Sequence, residues 1–182
     1  MYKRIGLCVI SAAICLGATT VQAQKMAVGA FTGINIPIAQ DDATEGSIFG
    51  VRAQLQPIPL LRFEPRLSFI KNGDFEVPGI QVRSFDGGDV TGFGLDVVLG
   101  SPMSVPGVGV GLLAGIGSYK REVENYDSET NTGFSGGLDV SMALGPVRAG
   151  ARGELLVIPQ DPKGSRKHIL LTIGASYAFG GK

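Results

Sequence analysis

The sequence predicts an all-β fold, an eight-stranded antiparallel up-and-down barrel, and three observations carry that expectation. Eight segments alternate apolar and polar residues with period two, the signature of strands whose two faces meet different surroundings. The spacers between them alternate, without exception, between long polar stretches and short ones rich in proline or glycine. The last segment, "HILLTIGASYAFGG" (168–181), ends its apolar parity in two aromatics, Tyr177 and Phe179.

The chain opens on "MYKRIGLCVISAAICLGATTVQAQ", with Lys3 and Arg4 ahead of an apolar run from Ile5 to about Ala18 and a small-x-small Val21-Gln22-Ala23. Residues 1–23 read as a secretory signal peptide, which leaves residues 24–182 as one barrel domain. The apolar run is short for a spanning helix, which needs ~20 residues. Cys8 and Cys15 both leave with the leader. An exported chain without cysteine cannot be a disulfide scaffold or use thiolate chemistry. Without Lys3 and Arg4 the mature chain holds 14 basic and 16 acidic residues, and the sequence forms no basic patch, so nucleic acid is excluded as a partner.

Each segment follows from its alternation. In 26–38, Val28, Ala30, Ile34 and Ile36 share a face; in 47–56, Phe49, Val51, Ala53 and Leu55 oppose Arg52, Gln54 and Gln56. In 60–71, Leu61, Phe63, Pro65, Leu67 and Phe69 oppose Arg62, Glu64, Arg66 and Ser68. Pro65 removes a ladder hydrogen bond inside that strand, which predicts a bulge or irregularity there. In 89–100, Phe93, Leu95, Val97 and Leu99 oppose Gly92, Gly94 and Asp96; in 108–119, Val108, Val110, Leu112, Ala114 and Ile116 oppose a glycine-rich face. In 132–144, Phe134, Leu138, Val140, Met142 and Leu144 oppose Ser135, Asp139 and Ser141. The polar face of 147–157 carries Arg148, Arg152 and Glu154, and 168–181 completes the set.

Spacers 39–46, 72–88, 120–131 and 158–167 are long; 57–59, 101–107 and 145–146 are short. All long loops therefore fall at one end of a meander and all tight turns at the other. "SFDGGD" (84–89) suggests a hairpin extension of the second long loop. Strands of ~10–12 residues, tilted, have the length to cross a bilayer, and an even number can close so that no edge meets hydrocarbon.

A soluble lipocalin-like barrel turns its apolar face inward, and a membrane barrel does the reverse. The polar face carries Arg52, Arg62, Arg66, Arg148 and Arg152 against Glu64, Asp96, Asp139 and Glu154, with no lysine in the strand interiors. Near-balanced charge dominated by arginine suits a closed, paired interior, because the guanidinium fork holds carboxylates bidentately. Eight strands enclose only enough space for their own side chains. The small residues opposite the arginines (Gly29, Gly33, Gly92, Gly94, Gly109, Gly111, Gly133, Gly137) give that network room, which predicts a plugged, charged lumen.

The end of the chain, Thr172-Ile173-Gly174-Ala175-Ser176-Tyr177-Ala178-Phe179, resembles the terminal assembly signal of bacterial outer-membrane barrels, with Thr172, Gly174, Tyr177 and Phe179 at its polar, glycine and two aromatic positions. Gly180-Gly181-Lys182 follow, where that family usually ends on the aromatic. With the leader and the meander, the whole mature chain resembles the small OmpA/OmpX-type barrels. The resemblance implies an outer-membrane location, contact with outer-membrane lipid, insertion by the barrel-assembly machinery, and aromatic girdles at the interfaces. Tryptophan is absent; Tyr119, Tyr126 and Tyr177 are available, with Phe31, Phe49, Phe63, Phe69, Phe93, Phe134 and Phe179 in strands.

Gly133-Phe134-Ser135-Gly136-Gly137 fits the G-x-S-x-G elbow, with Asp161 and His168 downstream, but no helix follows. Gly109-Val110-Gly111-Leu112-Leu113-Ala114 fits a dinucleotide fingerprint without its βαβ setting. His168, the sole histidine, stands at the loop end of the last strand with no visible nucleophile. The acids Asp41, Asp42 and Glu45, or Asp127 and Glu129 with Asn131, follow no EF-hand ligand order. The expectation is a barrel with no catalytic residues, metal or cofactor, whose four polar loops meet an unknown extracellular partner. The alternatives are a lipid-modifying barrel enzyme built on His168 and a soluble periplasmic ligand-binding barrel.

Overall fold

The computed structural model describes residues 25–38, 44–58, 60–73, 88–100, 108–122, 128–160 and 164–179. The signal peptide assigned to 1–23 and the hairpin extension at 84–87 lie outside the described residues. So do Asp41, Asp42, Asp127 and Asp161.

Eight strands run in sequence order: β1 (Lys25–Ile38), β2 (Gly46–Ile58), β3 (Leu61–Lys71), β4 (Asp89–Gly100), β5 (Val108–Glu122), β6 (Glu129–Leu144), β7 (Val147–Gln160) and β8 (Gly164–Phe179). Each pairs antiparallel with its neighbour, and β8 returns to β1, so the barrel is closed.

The register fixes the barrel's shape. From Met26 the ladder partners run Leu55, Phe63, Val97, Ala114, Gly136, Leu155 and Ile169, then return to β1 at Ile36, ten residues beyond the start. A stagger of ten across eight strands, at usual strand spacings, tilts each strand by about 40° and gives a backbone radius of about 8 Å. Such a tube holds side chains and nothing larger.

The two-residue turn between β6 and β7 has the residues it needs. Gly145 has φ +64° at the first position of the two-residue link Gly145-Pro146, where only glycine is at ease. Ala178 N–H donates to Pro146 O (2.7 Å) and ties this turn to β8.

Two expectations need correction. Of the bulge or irregularity expected at Pro65, only the irregularity is present: the β2–β3 ladder has no partner pair for Glu64 or Pro65, yet Arg52↔Arg66 and Leu55↔Phe63 keep one register across the gap, and the shift falls lower, between Leu55 and Ile58. The strand absorbs the missing N–H locally instead of inserting a residue. The strands also continue into spacers expected as loop, with β5 reaching Glu122, β6 starting at Glu129, β7 reaching Gln160 and β8 starting at Gly164. Backbone pairing carries on past the end of the apolar pattern because the ladder needs no buried face to persist in water.

Candidate functional site

The two faces of the barrel differ as sharply as the sequence pattern. Facing out are Phe93 (61% exposed), Leu112 (65%) and Ile173 (65%), with apolar neighbours on every strand. Facing in are Glu64 (0%), Asp96 (1%), Arg66 and Arg152 (both 5%). This inverts a water-soluble protein, and it removes the soluble-barrel alternative, which needs the apolar parity inside.

The outward band has a defined upper limit. On five strands the last apolar residue is followed, two positions on along the same face, by an exposed polar one: Phe49 by Ser47, Phe69 by Lys71, Phe93 by Thr91, Phe134 by Thr132 and Ile169 by Lys167. Phe49 and Phe69 stack at 5.1 Å on this rim. Tyr177 and Phe179, both exposed, mark the opposite rim beside the turns. From tilt and rise the band is about 25 Å tall, the height of a membrane barrel's apolar belt.

Eight of the nine charged residues singled out in the sequence meet inside as one net. Glu64 sits at its centre, bonded by Arg62 and Arg152, with Arg52 at 3.8 Å and Gln54 Nε2 donating at 3.0 Å. Arg62 reaches Asp139 (2.7 Å), and Arg152 spans Asp96 (3.0 Å) and Asp139 (3.1 Å). Arg66 grips Glu154 with both arms of its fork (2.5 and 2.7 Å) and lies 3.4 Å from Asp96. The ninth, Arg148, stands apart near the turns. Its contact there is a 3.4 Å bond to Gln56 Oε1.

Above this net lies a layer that the sequence pattern did not reveal. Phe31, Ile48, Ile70, Val90, Tyr119, Leu156, Ile158 and Leu170 form one buried apolar cluster in the loop-side half of the lumen. The interior is thus two plugs in series, ionic below and apolar above. The signal was present: Ile48, Ile70 and Leu170 hold the inward parity of their strands, where the alternation leads one to expect polar residues.

The inward glycines serve this layer as much as the arginines. A Cβ on Gly92 or Gly133 would fall 2.6 or 2.7 Å from the Tyr119 ring, so β4 and β6 both give way to it. Gly50 likewise leaves room for Phe31, whose ring lies under Arg52 at 5.7 Å. Tyr119 accepts a bond from Arg66 Nη2 (3.2 Å), joining the two layers. Phe31 and Tyr119 therefore belong to the interior and not to the girdles.

A polar cap closes the loop end. His168 is buried and its Nδ1 lies 2.9 Å from Asn35 Oδ1; Asn35 Nδ2 donates to Asn72 (2.8 Å), and Asn72 Nδ2 to Gly88 O (2.9 Å). Ser135 sits on β6 facing inward with no helix after it, and the Gly109–Ala114 motif is β5 itself. Of the terminal-signal residues, Thr172 and Gly174 point inward, with Thr172 opposite Gly33 and Arg152, while Tyr177 and Phe179 point out.

No protein-family model and no curated protein sequence matches this chain. Solved structures do match its fold. Neisserial surface protein A superposes with a TM-score of 0.60 at 17% identity, over 86% of this chain and 97% of that one. Ail, the attachment invasion locus protein of Yersinia pestis, gives 0.50 at 14% identity, over 87% and 99%. A major outer membrane protein from Thermus thermophilus gives 0.50 at 15%, over 87% and 100%. The structure has the fold of the small eight-stranded outer-membrane β-barrels.

Proposed function

We propose that this chain is a non-enzymatic outer-membrane barrel that presents four polar loops at the cell surface, with its tight turns and both ends in the periplasm. The observation that carries the reading is the inversion of faces: an apolar belt of about 25 Å outside and a connected ion-pair net inside. A lumen filled by two layers of side chains argues for a scaffold and against a solute pore. The work then falls to the loops, in contact with a host, matrix or envelope component. Ail has been solved with the heparin analogue sucrose octasulfate, which makes surface attachment a fitting role to test in a chain of the same fold.

Tyr177 and Phe179, with Thr172 and Gly174, would serve as the terminal signal read by the insertion machinery after the leader is removed. The test is fractionation with gel migration before and after boiling. Retention in outer membranes through urea, with a heat-shifted band, supports the reading; a soluble periplasmic protein overturns it. The enzyme alternative is weakened by His168, which is 1% exposed and held by Asn35 inside the barrel, away from the lipid. His168→Ala should leave the lipid A mass profile unchanged.

A further inference from the structure

We propose that the turn end of the lumen is a binding site for a small oxyanion, a carboxylate or phosphate group, with Arg148 as its anchor. In the ionic, turn-side half of the lumen five arginines face four carboxylates, and the excess of one is localised. The four acids are all engaged by Arg52, Arg62, Arg66 and Arg152. Arg148 alone among these arginines has no carboxylate within 4.0 Å among the described residues. Its one weak bond is to a neutral amide.

Beside it is space. A cavity of about 50 Å³ opens at this end, lined by Gln56, Arg62, Val98, Asp139, Ser141 and Arg148. Water needs ~10–15 Å³ of such volume, so the cavity takes a few waters or one oxyanion group. It exists because Gly109 and Gly111 bring no side chains to the β5 wall. Asp139 would repel an anion, but its charge is already spent on Arg62 (2.7 Å) and Arg152 (3.1 and 3.3 Å). What remains without a carboxylate is a half-buried guanidinium fork, whose geometry fits two oxygens of one anion, with the Ser141 hydroxyl on the same wall. An uncompensated charge in a poorly solvated recess gains from a counter-ion more than the same charge in bulk water would. The site depends on barrel geometry alone and stands whichever end faces the periplasm.

The test uses the full folded chain in detergent micelles. Inorganic phosphate and acetate are titrated in separate arms against chloride at constant ionic strength, with the Arg148 Nε–H and Ser141 amide signals followed by NMR. We expect a saturable shift with at least one oxyanion and none with chloride, and the better arm distinguishes phosphate from carboxylate. Arg148→Gln removes a charge-assisted pair and should weaken binding by about tenfold or more. Ser141→Leu fills the cavity and should abolish it, a second reading if Arg148→Gln does not fold. No saturable shift up to about 100 mM, far weaker than a millimolar site, overturns the proposal. So does binding of undiminished affinity in a folded variant of either kind.

Discussion

Glu64 is the residue on which the ionic layer should depend most. It is fully buried and takes bonds from Gln54, Arg62 and Arg152, with Arg52 beside it at 3.8 Å. Glu64→Gln keeps the volume and removes the charge, leaving five arginines facing three carboxylates. Hydrogen bonds to charged groups contribute about 1.5–3 kcal/mol each, and removing one partner of a buried pair costs about 3–5 kcal/mol, because the other charge is left uncompensated. Against a total stability of about 5–15 kcal/mol that is a large loss. With a urea slope near 2 kcal/mol/M, the unfolding midpoint in lipid vesicles should fall by about 2 M, read from the unboiled gel band and far-UV circular dichroism. Arg52→Gln in the same chain restores the original excess of one charge, and the double variant should recover more than about 1 kcal/mol. A Glu64→Gln midpoint within about 0.3 M of the parent, or a double variant equal to the sum of the singles, would refute the reasoning.

Other changes separate the layers. Leu156→Ala opens a cavity in the apolar plug and should cost about 2–5 kcal/mol in the same titration, although the ionic net beneath it is untouched. Tyr119→Phe removes only the bond from the charged Arg66 and should cost about 1.5–3 kcal/mol, while Gly92→Val, which drives a side chain into that ring, should lower the yield of folded barrel far more. Leu138→Arg, in the middle of the outward belt, should reduce stability in vesicles by about 2–4 kcal/mol, and a loss below about 0.5 kcal/mol would mean that this face does not meet hydrocarbon.

Strand number, direction and face can all be read from the sequence because period-two alternation is a local property and the spacers punctuate it. Arg62, Glu64 and Arg66 at alternate positions of one strand place three charges on one face with no further information. Which charge meets which cannot be read, since Arg66 pairs with Glu154 from β7 only through the stagger of ten, a property of closure. The apolar plug escapes the pattern for a similar reason. Leu156 and Ile158 share their strand with outward apolar neighbours, so parity is invisible where both faces are apolar. Phe31 and Tyr119 pass for girdle residues because an aromatic in a strand looks the same from either side; the glycines across from them, Gly50, Gly92 and Gly133, are the available clue.

The seam between β1 and β8 has thirteen partner pairs, from Met26↔Phe179 to Ile38↔Lys167. Bringing such distant positions together costs about 4–5 kcal/mol of chain entropy beyond the constant for any closure, and none of it is returned until the last strand has arrived. Until then the sheet carries two bare edges, each a template for pairing with a stranger. Folding in step with synthesis is therefore closed to this architecture. The first strand finds its second neighbour only when the eighth has been made.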